Sequence, residues 1–215
     1  MKINKPNIPE NLAATDDLAG LIYRSQEEEV DITAQKIKDS SLANMDIPNL
    51  CFKQTIFENC KFDHCTLFNA TFIDVIFQSC DISNSSFSNG YFNRCQFISC
   101  KGIGASMQDV NLQNISLHNS NFKYANLNSA LLKNISIIES DFSDADIVEC
   151  QLTNVELCRV KFINTSFFKT PLKGIDFSTS QIDGIVLSGE ELKGAIVSTC
   201  QAAELARLLG LIIKD

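Results

Sequence analysis

The sequence has little of what a globular α/β protein uses to divide its chain into helices and strands. Its 215 residues include only nine glycines and four prolines, and tryptophan is absent. No stretch approaches the roughly 18 apolar residues that a membrane-spanning helix requires, which excludes a helical membrane protein. The first residues also lack the apolar core of an export signal. We therefore expect a single domain that is located in the cytoplasm.

Positive charge is scarce as well. The 18 Lys and Arg stand against 26 Asp and Glu, which gives a net charge of −8. Because binding to phosphates requires clustered basic residues, we expect no direct contact with nucleic acid. An acidic chain is better suited to a basic partner, including a protein that itself holds DNA.

Motifs for catalysis and for cofactor binding are missing. The only histidines, His64 and His118, are far apart and have no Ser or Cys partner beside them in the pattern, which argues against a nucleophilic site. The nine cysteines include no CxxC pair, and an odd number in a chain without an export signal favours free thiols. There is no glycine-rich phosphate-binding loop. We predict no enzyme, no cofactor and no metal site.

What the sequence does have is a period of five. Stepping by five from Ile32 to Val197 meets almost only large apolar residues, and 13 of the 15 phenylalanines fall on this register. Phe68 and Phe168 do not, and Gly102 is the one position that breaks the rule. A period of five is neither the 3.6 of a helix nor the 2 of a strand. It requires a chain that turns a corner once in every repeat.

A second register, two residues before the first, carries small or β-branched residues. Four corners close a square, so four repeats make one coil, and like residues then stack on like. The cysteines of this register could instead form a metal cluster, but Cys60 and Cys65 would lie on different sides of the square. We therefore interpret them as small core residues. The pattern predicts an all-β solenoid of about eight coils spaced by about 4.8 Å. The six cysteines concerned are Cys60, Cys65, Cys80, Cys95, Cys100 and Cys150.

The repeat resembles that of the pentapeptide-repeat family, A(D/N)LXX. Close matches are Tyr124-Ala125-Asn126-Leu127-Asn128 and Asp144-Ala145-Asp146-Ile147-Val148, and the resemblance covers roughly residues 30–199. It implies a right-handed quadrilateral β-helix. We accordingly divide the chain into an N-terminal strap or cap (1–29), the β-helix (30–197), and a C-terminal capping and dimerisation helix with a tail (198–215).

The C-terminal end of the rod has a recognisable cap. A solenoid exposes unpaired strands and a bare core at each end, so both ends need covering. Ser198 and Gln201 have the spacing of a capping box. They predict a helix over 199–209, which Gly210 ends.

Two further places depart from the regular pattern. Near the N-terminus, Asp16 or Asp17 is a candidate cap for a short helix that runs through Tyr23 and follows an extended strap. Within the rod, Gly102 removes a large core side chain, and an empty space of that size would cost about 2–5 kcal/mol. We expect Ile103 or a neighbour to fill the space, with a local kink.

Acidic residues concentrate between Lys133 and Arg159, where no basic residue falls. In the square coil they form a negative belt around one layer. The belt is either an ordinary solvated surface or the contact for a basic groove. An opposing face carries Lys53, Lys133, Lys173 and Lys193. The belt consists of Glu139, Asp141, Asp144, Asp146, Glu149 and Glu156.

One outward ladder is mildly apolar, and it contains Ile98, His118 and Ile138, with Cys158 at its end. Exposed apolar rows can mark contacts. The ladder is therefore an alternative to the C-terminal helix as a surface for self-association.

Within the family, the C-terminal third is similar to the Qnr-type quinolone-resistance proteins and to chromosomal members from Gram-positive bacteria. The residues that carry this resemblance lie at 170–176, 191–197 and 201–211. It implies a homodimer through the C-terminal helix, with contacts at Leu205, Leu208 and Leu209. It also implies a rod that imitates duplex DNA, binds DNA gyrase or topoisomerase IV and modulates fluoroquinolone sensitivity. The chain departs from that pattern because it lacks the inserted loops of several Qnr proteins.

Three functions remain open at this point. The first is a non-catalytic interaction solenoid for an unknown protein partner, and the second is the topoisomerase-binding DNA mimic. The third is an enzyme or metal protein, for which a packed square rod offers no concave pocket.

Overall fold

In a computed structural model, which describes residues 3–208 and 210–214, the chain is a parallel β-solenoid. Each strand pairs with the strand one turn later, so that Phe52 lies opposite Phe72 and Phe72 lies opposite Phe92. The rod has about seven turns instead of the eight predicted. The difference arises at the end of the repeat, where residues 171–178 form turns and a single bridge in place of a further strand on this side of the rod.

Each turn of the rod has four faces, which we name by their inward columns. Face A begins at Ile32, face B at Ile37, face C at Leu42 and face D at Ile47, and each column continues once in every turn. From β5 onward, faces A and B are joined in a single eight-residue strand, with β6 as a short strand on face C. The elements in order are β1 (Ala13–Thr15), α1 (Leu18–Glu28), β2 (Ile32–Thr33), β3 (Gln35–Lys38), β4 (Ser41–Ala43), β5 (Cys51–Glu58), β6 (Lys61–Asp63), β7 (Thr71–Gln78), β8 (Tyr91–Ile98), β9 (Asn111–His118), β10 (Leu131–Ile138), β11 (Gln151–Cys158), the 3-10 turn and α2 (Thr199–Leu208).

Phenylalanine rings stack in columns along the core, as the register of large apolar residues predicts. On face A, the ring centroids of Phe52 and Phe72 are 5.3 Å apart, and those of Phe72 and Phe92 are 4.5 Å apart. On face B, Phe57, Phe77 and Phe97 stack in the same way. Both columns then continue with smaller residues, Leu112 and Leu117. Where they change, the core contains an apolar cavity of about 40 Å³.

The corners are turned by residues in the left-handed conformation. From Ala34 to Lys169, the non-glycine residue two places after each inward position has φ between 50° and 60°. Most L-residues are strained there, whereas Asn, Asp and Gly are tolerated. This is why Asn recurs at this position and why Gly replaces it at 104, 174 and 184. The frequent Asn two places after the inward residue is the sequence signal for these corners.

The small inward residues bind the turn that precedes them. The thiol of Cys80 donates to the carbonyl oxygen of Phe57 at 3.4 Å, and the hydroxyl of Thr170 donates to that of Ile147 at 2.6 Å. All six cysteines of this register are buried and free. Their interpretation as small core residues is confirmed, because the thiols fill the corners and donate to backbone carbonyls, in most cases one turn earlier.

Gly102 is accommodated differently from the prediction. A Cβ atom added to it would lie 2.5 Å from Cε1 of Phe122, so the ring of Phe122 in the next turn occupies the space. Ile103 remains half-buried and does not fill it. The expected kink is absent, because bridges at Lys101 and Ser106 keep the regular offset of one turn on both sides.

The C-terminal end is closed by α2, and the capping box is confirmed. The amide of Ser198 donates to Oε1 of Gln201 at 2.8 Å, and the amide of Gln201 donates to the hydroxyl of Ser198 at 3.3 Å. The buried Nε2 group of Gln201 also donates to the carbonyls of Phe177 and Ser180. It therefore satisfies two acceptors that the missing next turn leaves open. Gly210 follows the helix with φ of 82°.

A buried carboxylate completes this cap. The side chain of Glu191 accepts the amides of Lys169 at 2.8 Å, Gly189 at 2.9 Å and Ser188 at 3.0 Å. Desolvation works against its ionisation, but the hydrogen bonds from these amides and from the Ser188 hydroxyl outweigh it and lower the pKa of Glu191. The carboxylate thus replaces a strand as the partner of three amides.

The N-terminal end is closed by α1. Asp17 caps it by accepting the amide of Gly20 at 2.8 Å, and Leu18 and Ile22 are buried against the first turn. The helix extends to Glu28, beyond the predicted end at Tyr23. The predicted helix is too short because Glu27 and Glu28 in the last turn give no apolar signal for a helix.

The segment before α1 follows the corner between faces A and B. Strand β1 pairs with β3, and the amide of Asn7 donates to Oδ1 of Asp74 at 2.9 Å. Arg94 binds both carboxylate oxygens of Asp74, at 2.6 and 2.7 Å. Desolvation alone would raise the pKa of Asp74, but the hydrogen bonds from Arg94 and from Asn7 lower it. A partly buried ion pair therefore fastens the N-terminal segment to the rod.

Candidate interaction surface

The predicted acidic belt runs around one turn of the rod, and three of its residues, Glu139, Asp141 and Glu149, have a cation nearby. Glu139 accepts Nε of Arg159 at 2.9 Å, and Oε1 of Glu149 lies 2.6 Å from Nζ of Lys169. Each of these pairs joins residues one turn apart. The periodicity that placed the acids in one layer also places a cation directly above two of them.

Asp141 is the third belt residue with a nearby cation. Its Oδ2 lies 3.6 Å from Nζ of Lys123, and its Oδ1 accepts the hydroxyl of Ser143 at 2.6 Å and the amide of Ser143 at 2.9 Å. Partial burial by itself would raise the pKa of Asp141, but the hydrogen bonds from Ser143 and the charge of Lys123 outweigh it and lower that pKa. Asp141 is therefore a turn-forming residue as much as a surface charge.

The remaining belt residues differ in their surroundings. Asp144 accepts Nδ2 of Asn164 at 3.1 Å, and Asp146 is exposed. Neither forms an ion pair with another described residue. Glu156 lies on face B, away from these two, where it lines a cleft together with residues 3–6. The belt residues therefore lie in several separate environments and do not form one uniform negative ring.

Face D stands out from the other faces by its charge. Its outward segments are 46–49 and the corresponding residues in each following turn up to 186–189. From Asp46 to Glu149, none of these residues is Lys or Arg. The only basic residue of face D, Lys169, is already paired with Glu149. The exposed carboxylates that remain on it are those of Asp46, Asp109 and Asp146.

Face D is also continuous. Bridges join Asp46 to Thr66 and continue once in every turn through Asn126 and Asp146 to Val186. Apart from Asp109, the outward side chains between Asp46 and Asp146 are uncharged, and the hydroxyls of Ser86, Ser88 and Ser106 form a hydrogen-bonded chain with O–O distances of 3.0 Å. The result is an uninterrupted, cation-poor strip along the rod.

The surfaces predicted for self-association have different exposures. Leu205 is buried in the core cluster, whereas 53% of the Leu208 side chain is exposed. Leu209 lies outside the described residues. Ile98, His118 and Ile138 are half-buried. His118 lines the cleft of about 480 Å³ beside residues 3–6, so the N-terminal segment lies next to this ladder.

Within the part of the chain that the structure describes, no group of three or more His, Cys, Asp or Glu is placed to hold a metal ion. Among the same residues, no helix is long and apolar enough to cross a membrane.

The geometry defines a repeat protein, a parallel solenoid with four five-residue sides per turn. A family model described as a pentapeptide repeat region matches residues 70–146 and 90–162. The two matches together cover residues 70–162 of the repeat. No curated protein matches the sequence.

The solved structures that match the chain include those of QnrB1 and HetL. Full-length QnrB1, a plasmid-mediated fluoroquinolone resistance protein, is 22% identical over 85% of this chain and 94% of its own, with a TM-score of 0.49. HetL, a pentapeptide repeat protein involved in heterocyst differentiation regulation in the cyanobacterium Nostoc sp. strain PCC 7120, is 18% identical over 83% of this chain and 96% of its own, with a TM-score of 0.36.

Proposed function

We propose that the protein is a non-catalytic interaction solenoid that presents face D to a basic surface of a partner protein. The observation that supports this is the one-sided charge of face D, which has no Lys or Arg from Asp46 to Glu149. On other faces, acidic side chains such as Glu139 and Asp74 are paired with cations one turn away. The exposed carboxylates of Asp46, Asp109 and Asp146 on face D instead remain available to the Lys and Arg of a partner, which gives electrostatic complementarity.

The rigidity of the rod favours this role. Asp46 and Asp146 lie in one column of bridged residues, five turns apart. Their separation is set by the strand spacing and amounts to about 24 Å. Because the backbone that carries these carboxylates is already fixed by the bridges, little backbone freedom is lost on binding. The surface would therefore select partners by the spacing of their charges as well as by sign.

A type II topoisomerase is the specific candidate partner. A groove that holds duplex DNA is lined with Lys and Arg, and such a groove complements a straight, cation-poor acidic face. The resemblance of the C-terminal third to the Qnr-type proteins implies the same partner. On this proposal the protein occupies the DNA-binding groove of DNA gyrase or topoisomerase IV and thereby changes the response to fluoroquinolones.

The test is a gyrase supercoiling assay with and without a fluoroquinolone, together with direct binding to the gyrase holoenzyme. The variant Asp46→Asn/Asp109→Asn/Asp146→Asn should bind about tenfold more weakly at low salt, mainly through a slower association rate. The difference should shrink at high salt because exposed charges are screened.

A matched control is Asp176→Asn/Asp183→Asn, which neutralises exposed carboxylates on faces B and C. It should behave as the wild type. Equal losses in the two variants would mean that only net charge matters and would contradict a role for face D. Absence of binding by the wild-type protein at a large excess would refute the topoisomerase proposal.

We also propose that the protein forms a homodimer through α2, with Leu208 in the contact. Leu208→Lys should then shift the mass measured by light scattering from dimer to monomer. Leu205 is buried, so its substitution should lower the melting temperature instead. Dissociation by Ile138→Lys, with no effect of Leu208→Lys, would favour the Ile98, His118 and Ile138 ladder.

A further inference from the structure

Two phenylalanines are exposed, and both belong to face D. The side chain of Phe68 is 47% exposed and that of Phe168 is 42% exposed. The other 13 phenylalanines of the chain are buried in the core. Each exposed ring directly follows an inward residue, Leu67 or Phe167, and therefore lies on the outer surface. Burial in the core cannot explain why these two positions carry large apolar rings.

The two rings occupy equivalent positions on the rod. They are five full turns apart, so they lie in the same outward column. With strands about 4.8 Å apart, their separation along the rod is about 24 Å. Between them the column carries Ser88, Gln108, Asn128 and Val148.

The charges around the rings also matter. Nζ of Lys169 lies 5.5 Å from the ring centroid of Phe168, and the same atom lies 2.6 Å from Oε1 of Glu149. The cation next to Phe168 is therefore already neutralised. Phe68 has no Lys or Arg in its own face D segment, 66–69. Both rings are thus apolar points on a strip whose unpaired charges are negative.

We propose that Phe68 and Phe168 are apolar anchors by which face D docks on a basic protein surface that has two apolar recesses about 24 Å apart. This assignment rests on the proposed function and adds the residues that hold the complex together. Aromatic anchors that fill pockets dominate the energetics of many interfaces. A second copy of this chain is a poor occupant, since acidic face D would meet acidic face D, and nucleic acid is repelled for the same reason.

The rings can be removed without disturbing the rod. The carbonyl of Phe68 accepts the amide of Asn49 at 2.9 Å, and that of Phe168 accepts the amide of Glu149 at 3.0 Å. Both bonds belong to the backbone and remain when the side chain changes. Serine already occupies the same column at position 88, so Phe68→Ser and Phe168→Ser are suitable variants.

The experiment measures association and dissociation rates with purified DNA gyrase holoenzyme at two salt concentrations. Each serine variant should weaken binding at least tenfold through faster dissociation, with little change in salt dependence, since an anchor acts after the encounter. The Asp46→Asn/Asp109→Asn/Asp146→Asn variant should act on the association rate instead. Phe68→Tyr and Phe168→Tyr should retain most of the affinity.

The control is Leu131→Ser, which removes an outward apolar side chain that is 41% exposed at the start of β10, on another face. It should bind as the wild type. Wild-type binding that is unchanged in both serine variants would overturn the anchors and leave the proposed function standing. A loss as large in Leu131→Ser as in the serine variants would also overturn them. Failure of the wild-type protein to bind gyrase would refute the proposed topoisomerase function and the anchors with it.

Discussion

Gly102 and Phe122 should behave as a coupled pair, and a double-mutant cycle can test this. A Cβ atom at Gly102 would lie 2.5 and 2.7 Å from two ring atoms of Phe122, which is closer than non-bonded carbons approach. The φ angle of Gly102 is not in the left-handed region, unlike that of Gly104. An alanine at this position therefore encounters only a steric problem, and that problem comes from one ring.

The magnitudes follow from burial and packing. Phe122 is 1% exposed, stacks on Phe142 with centroids 5.5 Å apart, and borders the core cavity of about 40 Å³. Phe122→Ala should lower the free energy of unfolding by about 3–5 kcal/mol, with the upper part of that range expected because the new space joins an existing cavity. Gly102→Ala in the wild type should cost about 1–3 kcal/mol by overpacking.

In the Phe122→Ala background, Gly102→Ala should stabilise the protein instead of destabilising it. The methyl group then meets an empty space, and replacing glycine restricts the unfolded chain, which stabilises by about 0.4–1 kcal/mol. The coupling free energy between the two sites is the difference between these two effects and should thus be about 1.4–4 kcal/mol, which is large even for residues in contact.

The measurement is urea unfolding followed by far-ultraviolet circular dichroism, with the slope compared among the four proteins to confirm a common transition. Additive effects of the two substitutions would refute the reasoning, since they would mean that the ring of Phe122 does not occupy the position of the missing side chain. A wild-type melting curve for Phe122→Ala would contradict the core assignment itself.

Three further predictions concern the cap, the strap and the corners. Glu191→Gln should lower the free energy of unfolding by about 1–3 kcal/mol at neutral pH. Because folding lowers the pKa of Glu191, the carboxylate's contribution to stability is fully present above the unfolded-state pKa and is lost as pH falls through the folded-state pKa. In urea titrations the variant should therefore lose less stability between pH 7 and pH 3 than the wild type. Asp74→Asn should release the N-terminal segment, seen as faster amide hydrogen exchange at Asn7, and exchange unchanged from the wild type would show that Arg94 and Asp74 do not fasten it. Asn89 has a φ of 58° and an exposed side chain, so Asn89→Gly should be tolerated, whereas Asn89→Val should lower the free energy of unfolding by about 1–2 kcal/mol. Equal melting temperatures of the two variants would contradict the left-handed corner.

The features that depend only on chain period could be predicted from the sequence. The inward columns, the burial of the six cysteines and the reciprocal bonds of Ser198 and Gln201 all follow from spacing along the chain. The filling of the space at Gly102 could not, because it depends on the ring of Phe122, which lies one turn away and has freedom to rotate into it.

The surface was harder to predict for a physical reason. Acids such as Glu139 and Glu149 are close in sequence only to other acids, whereas their cations, Arg159 and Lys169, lie a full turn further along the chain. Counting charges in a sequence window therefore overestimates the negative potential of this layer. Sorting the charges by turn and by face would have shown both the pairs and the strip that lacks them.

The strict offset of four repeats per turn means that this rod can change length only in discrete steps. Duplicating one full turn would add about 4.8 Å between Phe68 and Phe168 while leaving every side chain on its own face. An insertion shorter than a repeat would instead place polar side chains in the core. Evolution or design can therefore change the distance between two contact points on this rod in steps of one turn, without changing the contacts themselves.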